Sequence, residues 1–383
     1  MIIAALLILT LIFIVVIARD LRSASRVPLL DADPAAGTLP SLTIIVPARN
    51  EADRIDRCLA GIVAQGAPAL HVIVLDDGST DGTAAIAESF APELPQLRVL
   101  TGAPLPPGWA GKCWACWQAA QQSRTEWLLF LDADTAPLPG MIQTLTRYAA
   151  ANQLDLLTLL PLLELRSFWE RVLMPPFVGL IQAVYPLDQV NDPRSPLALA
   201  NGQCILVRRS VYMAVDGHRA VRDSVLEDVR LAQTIKDAGY HMRAVGGPNL
   251  MRVRMYTNFG EVAEGLRKNA IAGFRAGGNL RSGLGGARQA LLSFGPLLLI
   301  VGGALLLLLG QPQGGVTLGF GVGLLLLTLG YWGYTIHRLH QISPLWALLY
   351  PFGTLCYFSL AGLALVSIAL GQGVTWKGRT YSG

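Results

Sequence analysis

The chain has 383 residues, 52% of them hydrophobic and only 15% charged, with a formal net charge of +4. That length holds one large domain with extra elements, or two domains. No dense basic stripe with interleaved aromatics appears, so basic residues such as Arg208–Arg209 and those between Arg243 and Arg275 fit a membrane surface better than a nucleic acid.

The apolar excess gathers at the ends. Residues 2–18, IIAALLILTLIFIVVIA, are uncharged and close to the roughly 20 residues that cross a bilayer core. No basic stretch precedes them, no small-residue cleavage site is evident, and Arg19, Arg22 and Arg26 follow. The expectation is an uncleaved anchor over residues 1–20 whose C-terminal side is cytoplasmic.

From Ser41 strand and helix patterns alternate. LTIIVPA (42–48) is a β-rich run, and 51–65 carries Ile55, Leu59, Ile62 and Val63 at helical spacing. HVIVLDD (71–77) is a second strand, with Ser79, Thr80 and Asp81 as cap types before a helix around 84–90. LRVLTG (97–102) is a third strand, followed by a helix over 112–122 and the strand WLLFLDA. A helix from near Pro139 to about Ala151 and a strand LDLLTLLP (154–161) complete the series. Continuous apolar strands alternating with helices imply a largely parallel α/β sheet covered on both faces.

Such sheets bind ligands at the carboxyl ends of their strands, where VPARNE, DDGSTDGT and DAD all fall. Any one of them alone has a bland account as turn or cap chemistry. In extended geometry Asp132 and Asp134 point to one side and repel. A divalent Mg²⁺ or Mn²⁺ resolves the conflict and suits a nucleotide diphosphate, because it takes one or two carboxylates plus phosphate oxygens. Further on, NGQCILVRR reads as a strand with Asn201 and Gly202 at its start. Glu227–Asp228 then open the amphipathic VRLAQTIKDAGY. These acids either favour the helix dipole or supply a general base.

Cys113 and Cys116 form a lone C-x-x-C without a second pair, so they read as small buried helix residues rather than a zinc or redox site. His71, His218, His241, His337 and His340 are scattered and read as structural, with His218 in a loop. Trp109 follows Pro106–Pro107–Gly108 in a loop, where packing and donor contact are both open. No G-x-G-x-x-G follows the first strand, which excludes a dinucleotide-binding dehydrogenase.

Residues 167–187, SFWERVLMPPFVGLIQAVYPL, are apolar and interrupted by Pro175–Pro176. They read as an interfacial helix pair against a bilayer or as an ordinary buried helix. Residues 259–274 are a second interfacial candidate or a solvated surface helix. The region 289–370 holds three apolar segments, Leu291–Gly310, Val316–Ile336 and Leu345–Leu370. His337, Arg338 and His340 place the connection before the last one in the cytoplasm. Pro351 and Gly353 suggest that this last segment is re-entrant or broken. A basic tail covers 371–383.

The order VPARNE, DDGSTDGT, Gly111–Lys112, DAD and LED resembles the family 2 glycosyltransferases of the GT-A fold, over roughly residues 41–275. GWAGKCWA, Arg254–Tyr256, Lys268–Asn269 and WKGRTY look most like the membrane-bound members that glycosylate carotenoids or hopanoid-type lipids. The resemblance implies a cytoplasmic GT-A catalytic domain over 41–280, in a multi-pass protein of the cell membrane. It also implies an inverting transfer from a nucleotide-diphosphate sugar, UDP-linked by family expectation, to a lipid hydroxyl. Asp77 would contact the base with Pro47 and Glu51 nearby, and Lys112 would approach the diphosphate. Asp132 and Asp134 would lie at sugar and metal, Mg²⁺ or Mn²⁺. Asp228 would be the base, with Glu227 beside it. The Q-x-x-R-W motif of processive synthases is absent, and EGLRKNA (264–270) stands in its region. That leaves Arg254, Lys268 and Arg379 as candidates to steady the diphosphate. Competing readings are a sugar-adding step in polysaccharide or ceramide-like glycolipid synthesis, and a non-catalytic nucleotide-binding membrane protein.

Overall fold

A computed structural model describes residues 2–32, 39–67, 70–276, 279–370, 374–376 and 379–381. The chain divides into a sheet unit, Val27–Glu164 with Leu187–Met255, and a helical unit, Met1–Arg26 with Leu165–Pro186 and Tyr256–Gly383.

In the sheet unit the apolar runs become strands β1 (Leu42–Ala48), β2 (His71–Asp76), β3 (Leu97–Thr101) and β4 (Trp127–Leu131). β5 (Thr135–Pro137), β6 (Leu156–Leu160) and β7 (Leu162–Leu163) follow, then β8 (Cys204–Arg208), β9 (Met242–Gly246) and β10 (Met251–Val253). Seven of them form one sheet in the order β3-β2-β1-β4-β8-β6-β9. Every neighbouring pair is parallel except those of β8, which runs antiparallel to both β4 and β6. β5, β10 and β7 make a small second sheet that the sequence pattern did not announce. Ile44, Val46, Leu129, Leu131 and Leu206 sit in the shared core, which is why the central strands read as unbroken apolar runs.

Helix starts differ from the expected ones for local reasons. Residues 51–54 form a turn, with Arg54 N and Ile55 N both bonded to Glu51 O at 2.9 Å, so the helix begins at Ile55 and ends at Val63. The third helix begins at Thr83, because Gly82 takes φ 89°, a left-handed value that favours glycine. Asp81 still serves that start: its Oδ1 accepts the Thr83 N–H at 3.1 Å.

The helical unit contains four helices long and apolar enough to cross a membrane: Ile2–Ser25, Leu280–Leu308, Gln313–His340 and Pro344–Ser367. The first is more than a tether, since its Phe13 is fully buried in the unit's core with Leu292, Leu324 and Trp332. Asp20 on it pairs with Arg288 and accepts the Tyr331 hydroxyl at 2.8 Å. Trp332 stacks on Tyr350 with ring centroids 3.7 Å apart.

The double proline does not split its segment. Phe168–Val184 is one helix, opened by a capping box in which Ser167 Oγ accepts the Glu170 N–H and Glu170 Oε2 accepts the Ser167 N–H. Pro175 and Pro176 have no N–H, so the carbonyls of Arg171 and Val172 lose their usual partners four residues on. The Val172 carbonyl lies against Gly353, where an added Cβ would collide with it. Gly353 therefore marks a close crossing inside Tyr350–Ala369, not a break, and Pro351 falls in that helix's first turn, where it is tolerated. Gln289 donates to both Pro176 O (3.3 Å) and Tyr350 Oη (2.8 Å).

Candidate active site

The strand order reverses between β1 and β4, with β2 and β3 to one side and β4 to the other. In an open α/β sheet that crevice, at the carboxyl ends of the strands, is where a ligand fits. β8 is antiparallel, with Cys204 registered on Leu131, so it brings its amino end, Asn201–Gln203, to the same edge.

The loops after β1 and β2 are built as one cup. Asp77 N–H donates to Ala48 O at 2.8 Å, and Arg49 Nη1 donates to Asp77 O at 2.5 Å. Asn50, at φ 51°, donates its N–H to Ser79 Oγ and accepts the Thr80 N–H on Oδ1, both at 2.9 Å. Glu51 N–H reaches Thr83 Oγ1 at 2.8 Å, and Ala52 N–H reaches Asp81 Oδ2 at 3.1 Å. Pro47 is half-buried in register with Leu75, Asp77 is buried, and Glu51 pairs with Arg54 at 3.9 Å. Arg49 was missed by sequence reasoning, although it stands inside VPARNE; its Nε is buried with no hydrogen-bond partner.

Beside this cup lies a knot of charge. Lys112, in the first turn of the Gly111–Gln121 helix, places Nζ 2.7 Å from Asp132 Oδ1 and 2.8 Å from Glu227 Oε1. Asp132 and Asp134 are not on an extended strand. They occupy a turn closed by Thr135, whose N–H and hydroxyl donate to Asp132 O at 3.2 and 2.8 Å. Ala133 is buried there, while both aspartates are half-buried.

Asp228 sits next to Glu227 at the start of the Glu227–Asp237 helix. Its Oδ2 accepts the Gly202 N–H and its Oδ1 the Val229 N–H, each at 2.8 Å. Gly202 is the second residue whose weight the sequence did not show. A Cβ there would lie 2.9 Å from Lys112 Nζ, 3.1 Å from Asp228 Oδ2 and 3.3 Å from Glu227 Oε1. The cluster fills the space that a side chain would need.

The two adjacent acids are driven apart in acidity. Burial opposes the charge of Glu227, but Lys112 overrides it and holds the carboxyl below its ordinary range. Burial and then the Glu227 charge push Asp228 up to about 6. Burial also opposes the charge of Lys112, yet Asp132 and Glu227 outweigh it and hold its pKa well above the ordinary value. A split pair of this kind separates a permanent anion from a proton acceptor.

His218 lies in the short Gly217–Ala220 helix rather than a loop, buried beside Phe130 with Nδ1 2.9 Å from Tyr212 Oη. Burial pushes it down to about 4, so it is neutral. Cys113 and Cys116 are buried free thiols pushed up by that burial. Trp109 packs edge-on against Trp114 at 4.9 Å. Arg254 follows β10 in the sheet unit, and Lys268 is on the Phe259–Ala276 helix of the helical unit. The Arg379 side chain lies outside the described residues, as does Lys377 of the basic tail.

Among the described residues no three His, Cys, Asp or Glu side chains gather to enclose a metal by themselves. Asp132 and Asp134 are hard oxygen donors, a set that Mg²⁺ or Mn²⁺ accepts when phosphate and water complete the shell.

Residues 43–215 match the family model "Glycosyl transferase family 2". Over 241 residues the chain is 30% identical to a 4,4'-diaponeurosporenoate glycosyltransferase of Staphylococcus aureus (strain USA300), a match covering 62% of each chain. The match thus spans about three fifths of that relative's length. The enzyme of the same name from strain MRSA252 is 27% identical over 354 residues, 89% of this chain and 88% of that one. Among solved structures, a mannosyltransferase from Pyrobaculum calidifontis in complex with GDP-Man and Mn²⁺ matches at 18% identity with a TM-score of 0.53, covering 95% of this chain and 98% of that one. The chain shares the fold of that structure, and among its described residues are four helices apolar and long enough to cross a membrane.

Proposed function

We propose that this protein is an inverting glycosyltransferase that moves a sugar from a nucleotide-diphosphate sugar, UDP-linked, to a hydroxyl of a membrane lipid such as a carotenoid or hopanoid-type isoprenoid. The observation that carries the reading is Asp228: half-buried, held on both oxygens by backbone N–H groups, and raised in pKa beside an ionised Glu227. Asp228 takes the proton of the acceptor hydroxyl as its oxygen bonds to the anomeric carbon. The bond from that carbon to the diphosphate oxygen breaks, and the electron pair leaves with the nucleoside diphosphate. A positioned base of this kind contributes about 10²–10⁴-fold in rate.

The cup formed by Pro47, Glu51 and Asp77 receives the nucleotide base, and Lys112 meets the diphosphate charge. Arg254, Lys268 and Arg379 are the candidates for a second cation there. Asp132 and Asp134 would hold Mg²⁺ or Mn²⁺, which when bound neutralises charge on the leaving diphosphate. The Mn²⁺ bound by the Pyrobaculum mannosyltransferase supports that assignment. Arg19, Arg22 and Arg26 beyond the first apolar helix, and His337, Arg338 and His340 ending the third, support a cell-membrane protein whose sheet unit faces the cytoplasm.

A second reading concerns the acceptor atom. The name of the Staphylococcus relatives denotes a carboxylate acceptor. A carboxylate is ionised at neutral pH and would form a glycosyl ester without a base.

The test removes the gene from its host and compares polar lipids and pigments by mass spectrometry. It also incubates the full-length protein with UDP-sugars or GDP-mannose, Mn²⁺ and a lipid extract of the deletion strain. A glycolipid missing from the deletion strain and regained in vitro is expected. No change in any lipid and no turnover of any nucleotide sugar would sink the reading, and release of the sugar by hydroxylamine would mark an ester. Exhaustive chelation should abolish activity; full activity after it would remove the metal role of Asp132 and Asp134.

A further inference from the structure

We propose that Lys112 is a resident counter-cation that keeps a divalent metal off Asp132 until a nucleoside diphosphate draws its ammonium away, so that metal and donor bind together rather than separately. This rests on the functional reading above, in which Asp132 receives the metal and Lys112 the diphosphate.

The argument starts from where the ammonium sits. Nζ bridges Asp132 Oδ1 at 2.7 Å and Glu227 Oε1 at 2.8 Å, two acids from different elements. Asp132 lies in the turn after β4, and Glu227 opens the Glu227–Asp237 helix. A divalent ion bound to Asp132 Oδ1 would sit about 2.1 Å from that oxygen. With Nζ unmoved the two cations would then be no more than about 5 Å apart, and their charges repel. Metal and ammonium therefore compete for Asp132.

The ammonium has somewhere to go. It lies over Gly202, where the missing Cβ leaves the end of a four-carbon side chain free to slide; a Cβ would stand 2.9 Å from it. Glu227 remains as the second carboxylate when Asp132 is given up, so the charge moves without being stripped of its partners. A diphosphate supplies oxygens to the metal and to the ammonium at once, and by linkage each of the two ligands then strengthens the other.

The experiment uses the full-length protein in detergent. Binding of MnCl₂ is titrated by electron paramagnetic resonance, alone and with saturating UDP or GDP, in the wild type and in Lys112→Met. The expected result is weak Mn²⁺ binding to the wild type alone and much tighter binding with one of the nucleotides. In Lys112→Met, Mn²⁺ alone binds about ten-fold tighter than in the wild type, and the nucleotide adds less. Asp132→Asn should abolish the gain. Circular dichroism checks the fold, and Lys112→Gln serves the same comparison if the methionine variant does not fold. If the variant binds Mn²⁺ no tighter while the wild type still binds Mn²⁺ with nucleotide, the competition is disproved and the functional reading stands. If neither nucleotide brings Mn²⁺ to the wild type, both are overturned.

Discussion

The two units use buried polarity in opposite ways. In the sheet unit Asp132 and Glu227 share one ammonium, and beside them burial and then the Glu227 charge push the Asp228 carboxyl above its normal range. In the helical unit several polar groups are paired: Asp20 meets Arg288 and Tyr331, Gln289 Nε2 meets Tyr350, and Ser293 meets Thr354 at 3.1 Å, while Gln289 Oε1 and Trp332 Nε1 are buried without a partner. An unbalanced cluster at a strand edge is prepared for a ligand. Paired groups among apolar helices fix which faces meet, because every partner lost leaves an unsatisfied group.

Four measurements at three residues test that contrast, in decreasing order of effect. Asp228→Asn should lower kcat by up to about 10⁴-fold while leaving the dissociation constant of the nucleoside diphosphate nearly unchanged, since the amide keeps an acceptor for the Gly202 N–H. Retained turnover would remove Asp228 from the role of base. Gly202→Ala should cost about 10²-fold in kcat/KM, because its Cβ displaces Lys112 and the base together. Its melting temperature should stay close to the wild type, since the nearest displaced atom is the end of a flexible side chain.

Asp20→Ala carries the comparison to the other unit. It strips the partner from Arg288 and Tyr331 and should cost about 2 kcal/mol of stability, read as a lower melting temperature in detergent. Donor binding by the sheet unit should be unaffected. The smallest effect is in pH. Asp228 acts only as the carboxylate, and its folded pKa is raised to about 6, so kcat/KM should fall as pH drops through about 6, roughly ten-fold per unit below it. A profile flat down to pH 5 would contradict the raised pKa.

Much of the candidate site lies in motifs visible in the sequence, because those motifs are local. VPARNE, DDGSTDGT and DAD end strands that a run of Leu, Ile and Val announces, and strand ends are where such folds bind. What escaped depends on distant pairing. Nothing in NGQCILVRR says that β8 runs backwards between β4 and β6, so Gly202 gave no sign of touching both Lys112 and Asp228. Local rules also misled where tertiary packing prevailed. Pro175–Pro176 and Gly353 each read as a break, yet the carbonyl freed by one is covered by the close approach of the other. The turn at Asp132 was read as extended chain because a Thr135 bond to its carbonyl leaves no trace in hydropathy.

The reversed strand β8 also bears on how the chain is made. β4 pairs β1 on one side, but its other side has no partner until Cys204–Arg208 exists. On the ribosome, at about 5–20 residues per second, roughly 4–15 s separate the synthesis of Leu131 from that of Arg208. Within that interval the apolar helix Phe168–Val184 is also produced. For those seconds the growing chain carries the open edge of WLLFL, five residues that are all buried once the sheet is complete. An unpaired apolar edge is a template for mispairing, so residues 127–131 are open to wrong partners while the ribosome works toward 208.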